Sequence, residues 1–123
     1  MRILVVDDDA AVQDLIVLAL ADQPHEVVTA DHGVAALEVL GEWLPDVILL
    51  DLRMPIMDGR AFARAARERA GLAAPIIVMS SEPNAEAQAA EIRAAGTLSK
   101  PFDLADLARQ LGRFAVPQAR RAA

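Results

Sequence analysis

The chain of 123 residues contains no cysteine and no tyrosine, and aromatic residues make up only 3% of it. Without cysteine there can be no disulfides, thiolate metal ligands or cysteine nucleophiles, and the composition suits a reducing compartment. We therefore expect a cytoplasmic location. Because aromatic rings are so few, the core must consist mainly of aliphatic side chains, and little surface is left for stacking on nucleic-acid bases.

Positive charge and long apolar runs are also scarce. The chain has 12 basic and 18 acidic residues, a net charge of −6. Nucleic-acid binding needs clustered lysine and arginine, so this balance argues against a direct nucleic-acid partner. The longest apolar stretch, near residues 15–21, is far shorter than the ~20 residues of a membrane span. No secretory signal pattern follows Met1, so we expect no membrane partner either.

Short apolar runs alternate with helical patterns along the chain. The runs predict strands at Arg2–Val6, Glu26–Thr29, Asp46–Leu50, Ile76–Met79 and Thr97–Ser99. Apolar spacings of three and four residues predict helices at Ala10–Asp22, Val34–Gly41, Gly59–Ala70, Asn84–Ala95 and Leu104–Phe114. This alternation predicts an α/β domain with a five-stranded parallel sheet covered by helices on both sides. By analogy with flavodoxin-like (βα)5 three-layer sandwiches, we expect the strand order 2-1-3-4-5. We assign residues 1–115 to this domain and residues 116–123 to a tail or the start of a linker.

Four of the predicted strands are followed by polar side chains that suit phosphate chemistry. Asp7, Asp8 and Asp9 follow the first strand, Asp51 the third, Ser80 the fourth and Lys100 the fifth. Ligands of parallel sheets bind beyond the carboxyl ends of the strands, so we expect these side chains to meet there.

Such an arrangement can hold a hard divalent cation, because carboxylate oxygens are ligands that suit Mg²⁺. Asp51 could then act as a nucleophile toward phosphorus and form an acyl phosphate. The ammonium of Lys100 could pair with Asp51 at rest and with phosphate afterwards. The peptide bond between Lys100 and Pro101 is a candidate for the cis form.

Each of these residues taken alone has a simpler explanation. An aspartate run before a helix supplies its cap, and Asp9 is the expected cap of the first helix. A lone aspartate such as Asp51 usually belongs to a turn, a serine such as Ser80 to a loop, and a lysine such as Lys100 to the solvated surface. The combination of all of them at strand ends favours the phosphate site.

Together the residues resemble the receiver domain of two-component response regulators, over about residues 2–114. The resemblance rests on Ile3-Leu4-Val5-Val6-Asp7-Asp8, on Asp51 with Met54-Pro55 and Met57-Asp58-Gly59, on Ser80, and on Lys100-Pro101-Phe102. Any one of these pieces is weak, but all four in order, each at a strand end, are highly specific.

The resemblance implies a role for each of these residues. Asp51 would be the phosphoacceptor, and Asp8, Asp51 and the backbone carbonyl of Arg53 would bind Mg²⁺ directly. Asp7 would hold the metal through water. Ser80 would be the switch hydroxyl that moves onto the phosphoryl group, and Lys100 the phosphate-binding lysine.

The resemblance also implies partners. A histidine kinase or histidine phosphotransfer protein would donate the phosphoryl group, and a downstream protein would contact the face of helix four, strand five and helix five. The domain would catalyse its own phosphorylation and dephosphorylation, so we do not expect an enzyme with a separate substrate.

Two features set this chain apart within that resemblance. Thr97 occupies the switch position at which the family usually has an aromatic residue, often tyrosine, so the usual coupling through aromatic burial is in question. Arg53 lies two residues after Asp51, and Glu82 two residues after Ser80. We hypothesise that Arg53 and Glu82 form an ion pair across the mouth of the site and limit the access of water.

Two alternative functions remain open. The first is a pseudo-receiver, a binding module that has lost phosphorylation, although the complete acidic set argues against it. The second is an aspartate-nucleophile phosphatase of the haloacid dehalogenase type, which Asp7-Asp8-Asp9 resembles superficially. Ala11 is a poor match to that motif, and the chain has no room for a substrate cap.

Overall fold

The computed structural model describes residues 1–69 and 71–114 and contains one five-stranded parallel sheet. Its strand order is β2-β1-β3-β4-β5, which confirms the predicted fold class and strand order. The strands are β1 (Arg2–Val6), β2 (Glu26–Ala30), β3 (Val47–Asp51), β4 (Ile76–Ser80) and β5 (Gly96–Ser99). The predicted tail and Ala115 lie outside the described residues.

Helices cover both faces of the sheet. They are α1 (Ala10–Leu20), α2 (Gly33–Leu40), α3 (Gly59–Arg69), α4 (Ala85–Glu91) and α5 (Leu104–Gly112). Alternate residues of the central strands point to opposite faces, and each face has its own core. On one face Leu4 and Ile48 pack in the core that includes Phe62 of α3; on the other Val5 and Leu49 pack in the core that includes Leu107 of α5. Burial on both faces explains why these strands are continuous apolar runs.

Helix four is shorter than predicted. The prediction of Asn84–Ala95 is wrong at its end, because α4 stops at Glu91 and Arg93 adopts the left-handed conformation with φ 55°. The N–H of Ala94 bonds the carbonyl of Ala89 across this turn at 2.9 Å, a closure usually built around glycine. Gly96, which directly follows the predicted end of this helix at Ala95, begins β5.

Two helix starts have aspartate caps, the first of which, Asp9, is the cap that the sequence predicts. The Asp9 carboxylate accepts a hydrogen bond from the N–H of Ala11 at the start of α1. Asp103 accepts from the N–H of Asp106 at 2.8 Å, and the Asp106 side chain completes a capping box. Ala70, the predicted last residue of the third helix, lies outside the described residues. Within the described part of the chain, every helix falls short of the length and apolarity that a bilayer crossing requires.

Candidate phosphorylation and metal site

The candidate site lies at the carboxyl end of the sheet, between β1 and β3, where the strand order reverses. Asp7 directly follows β1, and Asp51 is the last residue of the neighbouring β3. Oxygens of Asp7, Asp8 and Asp51 all lie within 4.8 Å of one another. The topology of the sheet therefore brings together the three carboxylates that the sequence singles out.

The donor set of this cluster fits Mg²⁺. Asp7 is fully buried, Asp51 is 8% exposed and Asp8 is open to solvent. Three carboxylates face a single ammonium, from Lys100, so the site carries excess negative charge that a divalent cation would offset. All three side chains offer hard oxygen ligands, and the exposed Asp8 leaves room for the waters that Mg²⁺ retains.

Lys100 contacts Asp7 more closely than the predicted partner Asp51. Its Nζ donates to Asp7 Oδ2 at 2.7 Å and lies 3.7 Å from Asp51 Oδ2. The backbone N–H of Lys100 bonds the carbonyl of Ser80 at 2.8 Å, and the Lys100–Pro101 bond is cis. The ammonium thus bridges two carboxylates, and its geometry favours the fully buried one.

Burial shapes the electrostatics of this cluster. It raises the pKa of the Asp51 carboxyl to about 6, and the charges of Asp7 and Asp8 add to the rise, while the Arg53 N–H and the Lys100 ammonium oppose it. Burial by itself lowers the pKa of Lys100, but its hydrogen bond to Asp7 and the nearby carboxylates outweigh this and raise the pKa. Without a cation, the Asp51 carboxyl is therefore harder to ionise than an ordinary aspartate.

The loop after β3 fixes the Asp51 carboxylate. Asp51 Oδ1 accepts from the N–H of Arg53 at 3.2 Å, and the N–H of Gly59 bonds the Leu52 carbonyl at 3.1 Å to close the loop. A Cβ on Gly59 would come within 2.6 Å of the Asp51 carbonyl oxygen, so only glycine allows this approach. The loop therefore restricts how far the Asp51 carboxylate can move.

Ser80 ends β4 and is also buried. Its Oγ accepts from the N–H of Glu82 at 3.0 Å, which leaves the hydroxyl hydrogen for another acceptor. The hypothesised ion pair is present: Arg53 Nη1 lies 3.0 Å from Glu82 Oε1. Glu82 Oε2 also accepts from Gln88 Nε2 at 2.8 Å, which connects this pair to α4.

The chain is similar to known proteins in both sequence and fold. The sequence profile of the response regulator receiver domain matches residues 3–111. The chain belongs to this family. It is 37% identical over 109 residues to the response regulator MprA of Mycobacterium avium, an alignment that covers 87% of this chain and 47% of MprA. The receiver chain thus spans about half the length of that relative.

Two solved structures have a similar fold. The chemotaxis protein CheY4 of Vibrio cholerae superposes with a TM-score of 0.84 at 32% identity, over 93% of this receiver and 98% of CheY4. The receiver domain of the sensor histidine kinase PA1611 from Pseudomonas aeruginosa gives a TM-score of 0.81 at 28% identity, over 92% and 95% of the two chains. That structure has a magnesium ion coordinated in its active site cleft.

Thr97 lies apart from the carboxylate cluster of this receiver. Thr97 lies in β5 and pairs with Val78 of β4. Its carbonyl accepts from Gln110 Nε2 of α5 at 3.2 Å. Thr97 lines a groove of about 240 Å³ between β5 and α5. Its role as a switch residue stays a prediction, as does that of the Arg53 carbonyl as a metal ligand.

Asp7 and Asp9, in the same aspartate run, make different contacts. Asp7 is paired with Lys100, while Asp9 caps α1 and points its carboxylate at the N–H of Ala11. Asp9 is therefore occupied as a helix cap, which weakens the superficial resemblance of Asp7-Asp8-Asp9 to aspartate phosphatases.

Gln13 is a residue of the receiver site that the sequence reasoning missed. It is 9% exposed, and its Nε2 donates to the Asp7 carbonyl at 2.6 Å and to Asp31 Oδ1 at 2.8 Å. Gln13 thus connects α1, the end of β1 and the segment after β2. A signal was available: Gln13 shares the buried face of α1 with Ile16 and Leu20, at spacings of three and four residues.

Proposed function

We propose that this receiver domain is a Mg²⁺-dependent phosphoacceptor switch that takes a phosphoryl group onto Asp51. The observation that carries the proposal is the cluster of Asp7, Asp8 and Asp51 oxygens within 4.8 Å of one another, with Lys100 Nζ 3.7 Å from Asp51. A carboxylate, an ammonium and oxygen ligands for a divalent cation are the groups that phosphoryl transfer to aspartate requires.

The donor would be a phosphohistidine of a kinase or phosphotransfer protein. A carboxylate oxygen of Asp51 would form the new bond to phosphorus as the bond from phosphorus to the imidazole nitrogen breaks, and that nitrogen keeps the electron pair. Only the ionised carboxylate is a nucleophile. Because the pKa of Asp51 is raised to about 6, loss of its proton is a distinct requirement for the reaction. The Arg53 N–H holds Oδ1 and so limits rotation of the nucleophile.

Asp8, Asp51 and the backbone carbonyl of Arg53 would hold Mg²⁺ directly, with Asp7 bound through water. When bound, the ion would supply positive charge beside the phosphoryl oxygens. Lys100, kept in place by Asp7, would contact one phosphoryl oxygen, and the hydroxyl of Ser80 would donate to another. The magnesium ion in the PA1611 receiver supports this assignment.

The output would pass through the face formed by α4, β5 and α5 to a downstream protein. Glu82 lies two residues after Ser80 and is bonded by Gln88 of α4, so movement of the Ser80 hydroxyl would be felt in that helix. Thr97 on β5 would report the change without an aromatic ring. We further propose that the domain acts in the cytoplasm and turns over only its own acyl phosphate. Its net charge of −6 argues against direct contact with nucleic acid.

Intact mass spectrometry after incubation with acetyl phosphate and Mg²⁺ tests this function. Wild type is expected to gain the mass of one phosphoryl group, while Asp51→Asn and a sample without Mg²⁺ gain none. Asp58→Asn is the matched control, because Asp58 lies in the same loop but caps α3 through the N–H of Ala61. Uptake by Asp51→Asn would place the acceptor elsewhere, and no uptake by wild type from either acetyl phosphate or a phosphohistidine donor would contradict the proposal.

A further inference from the structure

A groove lined by arginines lies between α3 and the end of α4, built from elements other than the carboxylate cluster. It encloses about 260 Å³ over a floor that includes Ala63 and Ile92. Its charged lining consists of Arg60, Arg64, Arg67, Glu68, Glu91 and Arg93. Four guanidinium groups against two carboxylates give this arginine groove a formal charge of +2, in a chain whose net charge is −6. The groove is therefore a local reversal of the charge of the domain.

The backbone explains how these arginines come to share one groove. Arg60, Arg64 and Arg67 follow one another at spacings of four and three residues, so they project from one face of α3. The fourth, Arg93, occupies the left-handed position that ends α4, with φ 55°. Glycine takes this conformation without steric cost, whereas a side chain does so only with strain. The turn that ends α4 thus carries a guanidinium where none is needed to close the helix.

One guanidinium is held rigidly in the lining. Arg67 donates to the carbonyl oxygens of Ile92 and Arg93, the second at 3.1 Å from Nη2. These contacts satisfy carbonyls beyond the end of α4 and tie α3 to that turn. Arg67 is consequently a fixed positive charge, which needs no ordering when an anion enters.

The remaining arginines differ in how they are paired. Arg60 Nη2 lies 3.4 Å from Glu91 Oε2, and both side chains are about half exposed. Among the described residues, Arg64 and Arg93 have no carboxylate within ion-pair distance. Two uncommitted guanidinium forks therefore line the same groove as the fixed charge of Arg67. Planar forks of this kind match phosphate oxygens in pairs.

We propose that the arginine groove binds the diphosphate group of a small anionic ligand, with Arg64 and Arg93 as its principal donors. Two uncommitted forks suit a ligand with two linked phosphates, and the volume of about 260 Å³ accommodates such a group. The ligand would be inorganic pyrophosphate or a nucleoside diphosphate, which share this chemistry. The site is independent of Asp51 and does not require phosphorylation.

Isothermal titration calorimetry with inorganic pyrophosphate tests the groove directly. The titration is run in EDTA and about 0.15 M NaCl, because without a divalent cation the carboxylate cluster repels anions and salt screens non-specific attraction. Wild type is expected to bind one pyrophosphate, and Arg64→Ala combined with Arg93→Ala to weaken binding at least about tenfold through lost charge-assisted hydrogen bonds. Glu91→Gln is expected to tighten binding, because it removes a negative charge from the lining and releases Arg60.

Arg69→Ala is the matched control, since Arg69 lies on the same helix but does not line the groove. It removes one positive charge, against two in the double variant, and should leave pyrophosphate affinity within about twofold, as expected for a screened charge outside the site. An equal loss in this control and in the groove variants would mean non-specific attraction and overturn the proposal.

A second ligand identifies the source of the diphosphate. Tighter binding of adenosine diphosphate than of pyrophosphate would assign a nucleoside diphosphate, and equal binding the diphosphate group alone. Absence of saturable pyrophosphate binding by the folded wild-type domain would refute the site. Binding of a poly-glutamate peptide in its place would refute it equally, and would assign the groove to an acidic protein segment.

Discussion

Two ion pairs of nearly equal length flank the Asp51 carboxylate, and they differ in burial. Lys100 Nζ lies 2.7 Å from Asp7 Oδ2, with side chains 21% and 0% exposed. Arg53 Nη1 lies 3.0 Å from Glu82 Oε1, with side chains 80% and 24% exposed. Water screens the second pair and only partly reaches the first, so similar distances correspond to different energies. The buried pair is expected to hold the site together and the exposed pair to control access to it.

Breaking each pair from its cationic side gives the largest contrast. Lys100→Met leaves Asp7 buried without its cation, and we expect a loss of about 3 kcal/mol in the free energy of unfolding of the metal-free protein. Arg53→Met, the matched change in the exposed pair, should cost less than about 1 kcal/mol. Urea denaturation in EDTA measures both. Added Mg²⁺ should recover part of the Lys100→Met loss, and equal losses in the two variants would show that burial does not separate the pairs.

The effect of burial at the site can also be tested through the pH dependence of stability, because burial raises the pKa of Asp51. A carboxyl whose pKa is raised from 3.8 to about 6 on folding stabilises the fold fully below pH 3.8, and this contribution is lost as the pH rises through 6. Metal-free Asp51→Asn should therefore exceed wild type in stability at pH 7.5 by on the order of 2–3 kcal/mol. The difference should shrink toward pH 4. A difference between the two proteins that stays constant from pH 4 to 7.5 in urea titrations would contradict the raised pKa.

A substitution of Gln13 tests whether the site depends on the hydrogen bond from its side chain to the Asp7 carbonyl. Gln13→Leu leaves the Asp7 carbonyl without its buried donor, and we expect a cost of about 1–3 kcal/mol. Calorimetry should show weaker Mg²⁺ binding as well, because Asp7 and Asp8 lose a fixed position. Ile16→Val on the same buried face costs about 0.5–1.5 kcal/mol. This control should leave Mg²⁺ affinity unchanged. A similar loss of Mg²⁺ affinity in both variants would assign Gln13 a purely structural role.

The sequence predicts the fold and the placement of the acids, and the reasons are physical. Burial on both faces produces continuous apolar strands, so β1, β3 and β4 are visible as runs. A residue that directly follows such a run must lie at the carboxyl edge of the sheet, which places Asp7, Asp51 and Ser80 together. These inferences depend on strand direction, which the alternation of strands and helices specifies, and on a strand order expected by analogy with flavodoxin-like folds.

The details that escaped prediction depend on tertiary contacts. The partner of Lys100 depends on an ångström-scale choice between two carboxylates, at 2.7 Å and 3.7 Å from its ammonium. The end of α4 depends on the turn at Arg93, a position where the sequence has no glycine to mark it. Helical spacing alone could not show that the face of α1 bearing Gln13 lies against the end of β1.

The smallest effect on stability is expected at the exposed pair, where the effect should be on rate. Arg53→Ala should change the free energy of unfolding by less than about 1 kcal/mol, since 80% of the Arg53 side chain is already solvated. The N–H groups of Arg53 and Glu82 bond Asp51 Oδ1 and Ser80 Oγ, so we expect their paired side chains to lie over the proposed acyl phosphate. Removing the longer one should admit water and shorten the lifetime of the phosphorylated protein several-fold, a rate effect that corresponds to roughly 1 kcal/mol in the barrier.

The decay of phosphorylated protein after removal of acetyl phosphate, followed by intact mass, measures that lifetime. Arg109→Ala is the matched control, because Arg109 forms an exposed pair with Asp106 on α5. Glu82→Ala should shorten the lifetime as Arg53→Ala does, and the double variant should add little, because either change opens the same pair. An Arg53→Ala lifetime equal to that of wild type would mean that the pair leaves water access unchanged, and would restrict the difference between the two ion pairs to stability alone.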